Sequence, residues 1–263
     1  MIYQHIMQNK LFYHCLFYLT VCAILLTAFK TGQPQKIKIV FIGDSITQGS
    51  DNPALQPSVY AVKYLEQKLK GTTINQANVG VSGKTTVDFL PSEVYFKNTI
   101  KAADEFYKDN DAQLAFSVML GTNDSAVKGP NGSPVSAENY NQNLTIIVDS
   151  LLKRYPNCKI VIHHPIWYST NTYNGSMYLA EGLARLQFYF PQIELLVKKY
   201  QLSNPNHVFT GDKAAFKYFE TNYIKMLKPE QGRQGIFYLH PNEQGALRLG
   251  EFWGKALNKA LSI

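Results

Sequence analysis

Ile37-Lys38-Ile39-Val40-Phe41-Ile42-Gly43-Asp44-Ser45-Ile46-Thr47 is a short apolar run, rich in β-branched residues, that breaks at a glycine and continues into a serine. A run this short predicts a buried strand over 37–42 rather than a helix. Four more short strands are expected, each running into a glycine, a proline or a turn. Thr73–Ala77 leads into Asn78-Val79-Gly80, Leu114–Leu120 into Gly121, Lys159–His163 toward Pro165, and His207–Thr210 into Gly211.

Helical patterns lie between these runs. Ser136 is a good N-cap, and Tyr140, Leu144, Ile147 and Leu151 follow at spacings of three and four, giving one apolar stripe. Leu179, Leu183 and Leu186 repeat the pattern up to Pro191, which is expected to start another turn before Leu195, Leu196 and Tyr200. A last helix begins after Asn242 and buries Ala246, Leu249, Trp253, Ala256 and Ala260. Strands alternating with helices predict an α/β fold, a three-layer α/β/α sandwich around a mainly parallel five-stranded sheet. Such sheets hold ligands beyond the carboxyl ends of their strands.

At 263 residues, 45% hydrophobic and 17% charged, the chain suits one folded domain, placed here at 36–263. The net charge of +7 sits on scattered lysines without a basic block, so no nucleic-acid partner is expected. Residues 1–30 hold no acid and carry Lys10 ahead of a mostly apolar stretch from Leu16 to Phe29. That pattern predicts a signal peptide, too short for a comfortable membrane span. Export to the periplasm or the cell exterior follows, with no stable membrane insertion once the signal is removed. Cys22 follows Val21, which does not suit a lipidated cysteine. Beyond this segment only Cys158 remains, so no intramolecular disulfide is expected and Cys158 reads as core.

Four turns carry chemistry. Gly43-Asp44-Ser45-Ile46-Thr47 presents a serine at a helix start, where its N–H can face a developing anion. Asn78-Val79-Gly80-Val81-Ser82-Gly83 offers the unobstructed N–H of Gly80, and Gly121-Thr122-Asn123-Asp124 offers the Asn123 amide. His240-Pro241-Asn242 mounts an imidazole ahead of a capped helix. Each motif by itself is also an ordinary turn or cap. Gly83-Lys84-Thr85 is the tail of a phosphate loop, but position 78 is Asn where that loop needs Gly, so no nucleotide site is expected.

In this order, each at a strand end or helix start, the four blocks resemble the SGNH (GDSL-type) hydrolases, from about Ile37 to the C-terminus. The resemblance implies a flavodoxin-like SGNH hydrolase fold with Ser45 as nucleophile and His240 as base. It implies an oxyanion hole built from Ser45, Gly80 and Asn123. The chain has no Gly-x-Ser-x-Gly elbow, which separates it from ordinary α/β-hydrolases. Neither a cofactor nor a metal is expected, since a lone Cys158 and the lack of His-Glu-x-x-His do not make a zinc site.

One position departs from the family, which commonly carries Asp three residues before the histidine; here it is Phe237. Three readings follow. A main-chain carbonyl orients His240 in a Ser–His dyad, the reading favoured here; an acid such as Asp212 or Glu230 folds into place; or the enzyme is crippled.

Phe41–Gly49 and the Ser–His pair without an acid at 237 are similar to bacterial carbohydrate O-acetylesterases, the sialate O-acetylesterases in particular. That similarity implies a serine esterase removing O-acetyl groups from small-molecule or glycan substrates, sialic acid among them. Trp167 and Tyr168 would stack on a sugar face or else pack the helix behind them. Arg233 would take a sialate carboxylate through paired donors. His163 and His164 read as strand-end structure. Two alternatives stand beside this one: a lipid-directed esterase or thioesterase of lysophospholipase type, and a non-catalytic sugar-binding relic.

Overall fold

The computed structural model describes residues 36–109 and 111–262. The expected signal peptide at 1–30 lies outside the described residues.

In chain order the elements are β1 (Lys36–Gly43), α1 (Ser45–Gln48), α2 (Pro57–Lys68), β2 (Thr73–Asn78), α3 (Val94–Tyr107), β3 (Ala112–Met119) and α4 (Ala137–Arg154). They continue with β4 (Lys159–Ile162), α5 (Leu179–Ser203), β5 (Val208–Thr210), α6 (Ala215–Met226), β6 (Leu227–Gly232), β7 (Gly235–Pro241) and α7 (Glu243–Leu261). Strands β1 to β5 form one parallel sheet in the order β2-β1-β3-β4-β5. This is the five-stranded α/β architecture that the alternating runs predict. The chain order reverses between β1 and β3, and a crevice opens at such a switch point beyond the strand ends.

Both faces of the sheet's centre are covered, which is why β1, β3 and β4 are largely apolar, whereas edge strand β2, Thr-Ile-Asn-Gln-Ala-Asn, is mostly polar and partly exposed. Alternation along β1 separates the faces. Phe41 stacks on Trp253 of α7 at 5.9 Å between ring centroids, while Lys38 reaches the Phe106 carbonyl of α3. Val40 pairs in register with Phe116, whose ring meets Tyr155 beyond α4 at 5.7 Å. Helix α7 approaches α2 so closely that a Cβ on Gly250 would lie 2.5 Å from the Pro57 carbonyl oxygen. Asn242 caps α7 by accepting from the Gly245 N–H at 2.9 Å. Cys158 is fully buried and, among the described residues, free.

Two features depart from the sequence reading. Helix α5 runs unbroken through Pro191. The carbonyl that loses its donor belongs to Gln187, four residues back on an exposed position, where water can satisfy it. The second is an antiparallel hairpin, β6–β7, between α6 and α7. Among the described residues no helix is long and apolar enough to cross a membrane.

Candidate active site

The site begins where β1 ends. A Cβ on Gly43 would lie 2.7 Å from the Met119 carbonyl oxygen, so only glycine lets the chain leave the sheet here. Asp44 Oδ1 then accepts the Ile46 N–H at 2.9 Å and caps α1. Ser45 is the first residue of that helix, so its own N–H has no partner within the helix.

The hairpin supplies the opposite wall. Ser45 Oγ lies 2.9 Å from His240 Nε2, across 195 residues of sequence. His240 Nδ1 faces both carboxylate oxygens of Glu230, at 2.9 and 2.8 Å. A carboxylate only accepts, so Nδ1 carries the proton and Nε2 presents its lone pair to the serine hydroxyl. This corrects the main-chain dyad expected from Phe237: the partner of Nδ1 is a side-chain acid. The physical reason is the hairpin register. Glu230 pairs with Phe237, and a register shift between Leu227 and Pro229 brings Glu230 diagonally next to His240. The hairpin was legible in Gly232-Arg233-Gln234-Gly235, a turn sequence between two extended runs, with Gly235 at φ 86°.

Asn123, after β3, is held from two sides. Its Nδ2 donates to the Lys84 carbonyl at 3.0 Å, and its Oδ1 accepts from the Tyr178 hydroxyl at 2.6 Å. One amide hydrogen stays uncommitted by those bonds. Tyr178 therefore fixes which way the amide points, a role its sequence neighbourhood does not reveal. Gly80 is engaged differently from the expectation: its N–H donates to Asn78 Oδ1 at 3.0 Å. The Asn78 amide in turn donates to the Thr47 carbonyl at 2.7 Å, which ties this loop to α1. A Cβ on Gly80 would lie 2.7 Å from the Gln48 nitrogen.

This arrangement has a recognisable pedigree. The sequence profile of the GDSL-like Lipase/Acylhydrolase family matches residues 41–248. The chain belongs to this family. As a GDSL hydrolase it shares its fold with an alpha/beta hydrolase enzyme from the metagenome of Lake Arreo, Spain: 17% identity, TM-score 0.56, covering 88% of this chain and 98% of that one. It is similar to an acetylxylan esterase from Geobacillus stearothermophilus at 19% identity and TM-score 0.53, covering 88% and 97%. A carbohydrate acetylesterase from Sinorhizobium meliloti matches at 14% identity and TM-score 0.54, covering 86% and 98%. No curated protein matches the sequence.

Two buried carboxyls underlie the site of this GDSL hydrolase. Burial pushes Asp44 up to about 6, partly offset by its bond from Ile46 and by His240. Burial likewise pushes Asp124 up to about 7, against bonds from Thr86.

The expected sugar platform is corrected. Tyr168 is fully buried, with its hydroxyl 2.9 Å from Ser125 Oγ, because Gly182 lets α5 close over it. Trp167 is 9% exposed and packs on Tyr223 at 5.3 Å. These rings build the core beneath the loop and present no face for stacking. Arg233 stands at the hairpin turn, over the Tyr173 ring at 5.0 Å and donating to its hydroxyl at 3.2 Å.

Proposed function

We propose that this GDSL hydrolase is a serine esterase that removes O-acetyl groups from carbohydrate through Ser45, His240 and Glu230. The observation that carries this reading is the chain of contacts from Ser45 Oγ to His240 Nε2 and from Nδ1 to Glu230. His240 Nε2 takes the Ser45 proton as Oγ bonds to the ester carbonyl carbon. The tetrahedral anion is received by the Ser45 N–H and the free Asn123 amide hydrogen, with Gly80 N–H joining by sharing its bond with Asn78. One such donor is worth about 3–4 kcal/mol at the transition state. The bond to the sugar oxygen breaks as His240 returns the proton to it. Water then attacks the acetyl-enzyme with His240 again as base, releasing acetate.

The recess beside Ser45, Ile46, Leu55 and His240 is small and open to solvent, which suits a short acyl group such as acetyl. The complete Ser–His–Glu contact set disfavours a non-catalytic relic. A sugar alcohol fits the short acyl group and the likeness to carbohydrate acetylesterases. Residues 1–30 are proposed as a cleaved export signal, which N-terminal sequencing of the mature protein checks.

The test is hydrolysis of acetyl, butyryl and octanoyl esters and of O-acetylated sialic acid, with Ser45→Ala as control. Acetyl esters are expected to be cleaved and octanoyl esters to resist. Equal rates in wild type and Ser45→Ala end the serine mechanism, and an octanoyl preference ends the sugar reading.

A further inference from the structure

The hairpin brings a cation as well as an acid to Ser45. Lys228 and Glu230 are two residues apart in β6 and share one face of the hairpin, the face that meets His240. Lys228 lines the small cavity together with Ser45, Gly49, Ser50 and His240.

The cations around the site differ in what already engages them. Lys84 pairs with Asp88 at 3.6 Å and lies over the Tyr95 ring. Arg185 donates to the Ser125 carbonyl at 2.7 Å, and Arg233 rests on Tyr173. The acid that shares the face of Lys228 is engaged elsewhere: Glu230 holds His240 at 2.8 Å. Among the described residues Lys228 has no ion-pair partner, although it is only partly exposed. The rim across from it is strained, since Ser50 and Asp51 hold φ of 52° and 55° without being glycines. Strain of this kind persists where the surroundings fix the chain, and it clusters at binding sites.

We infer that Lys228 is a specificity-determining residue: its ammonium receives a carboxylate carried by the substrate, so the preferred ester is an O-acetylated acidic sugar. This rests on the esterase reading above. An ammonium on a flexible stem is a point charge that meets a carboxylate without a fixed geometry. The chain stays net positive without the two lysines of residues 1–30, which adds long-range attraction for an anionic substrate. The recognition assigned to Arg233 from sequence thereby moves to a residue that borders the nucleophile.

The experiment compares kcat/KM on O-acetylated sialic acid and on neutral acetylated xylobiose, for wild type, Lys228→Gln and Lys228→Arg. Wild type is expected to favour the acidic ester. The acidic-to-neutral ratio should fall about tenfold in Lys228→Gln, the scale of one charge-assisted contact, and stay within about threefold in Lys228→Arg. Salt should erode the ratio more steeply in wild type than in Lys228→Gln, where only the long-range attraction is left to screen. An unchanged ratio in Lys228→Gln overturns the inference while leaving the esterase intact. Calorimetry of free sialic acid on Ser45→Ala, with and without Lys228→Gln, reads the same contact without turnover. Binding weakened by the second substitution supports it, and no binding or equal binding in the two proteins overturns it even if no ester is cleaved.

Discussion

Ser45 Oγ and His240 Nε2 lie 2.9 Å apart, and so do Ser117 Oγ and His163 Nε2. The second pair sits inside the core, on the face of the sheet where Trp253 stacks on the His163 ring at 5.2 Å. What differs is the far nitrogen of each ring. His240 Nδ1 faces the Glu230 carboxylate, whereas His163 Nδ1 accepts the main-chain N–H of Asp212 at 3.0 Å. Glycine at 211 permits that approach, since a Cβ there would collide with His163 Nδ1. An accepting Nδ1 forces the proton onto Nε2, which then donates to Ser117 and has no lone pair to offer it. One geometry is thus a base poised over a hydroxyl, and the other a buried structural bond. Distance alone does not tell a nucleophile from a core serine.

The largest expected effect separates the two serines. Ser45→Ala should lower kcat about 10⁴-fold or more, as removal of a catalytic serine does. Ser117→Ala should keep wild-type kcat within about twofold, because its partner cannot act as a base. A large loss in Ser117→Ala would erase the distinction. Next come the partners of Nδ1. Glu230→Ala should cost about 10³- to 10⁴-fold in kcat, since the imidazole loses the group fixing its tautomer. Asp212→Asn should leave activity in place, because it is the backbone N–H that holds His163. Wild-type turnover in Glu230→Ala would restore the main-chain dyad.

Smaller effects concern stability. Ser117→Ala strands a buried Nε2–H and should cost about 1–3 kcal/mol, measured by urea unfolding. An unchanged midpoint would mean the donor finds another acceptor.

The finest test uses pH. Burial, and then the neighbouring His164, push His163 down from 6.5 to about 3. The unfolded chain therefore takes up a proton at this residue below about 6.5 while the folded one refuses it. Its share of stability is present above that pH and is lost as the pH falls toward 3. Asp44 and Asp124, pushed up to about 6 and about 7, act in the opposite sense. They favour the folded state at low pH and lose that advantage as the pH rises from about 4 through 7. The stability difference between wild type and His163→Gln should shrink as the pH drops from 6.5 to 3. A difference independent of pH would show that His163 titrates normally.

Much of the scaffold was legible in the chain. The five strands could be placed because most are apolar runs and each ends at glycine, proline or a turn, and these are local features. The Asn242 cap is local as well, set within a few residues of itself. Pro191 misled because a proline on an exposed helix position costs a bond that water replaces. Trp167 and Tyr168 misled because sequence shows that a loop is aromatic but not which side of it faces the core. Lys228 left no trace in the sequence beyond its charge.

The amino-acid order by itself determined the parallel sheet, the loops at its carboxyl edge and the residue types those loops present, because turn chemistry and hydrophobic period act over short range. Tertiary structure alone decided which acid serves His240, which histidine is withdrawn into the core and which cation borders Ser45. Those outcomes depend on the register of a bulged hairpin and on the packing of α7 against the sheet. Both are set by contacts between residues far apart in the chain, where side-chain partners compete and only the folded geometry selects among them.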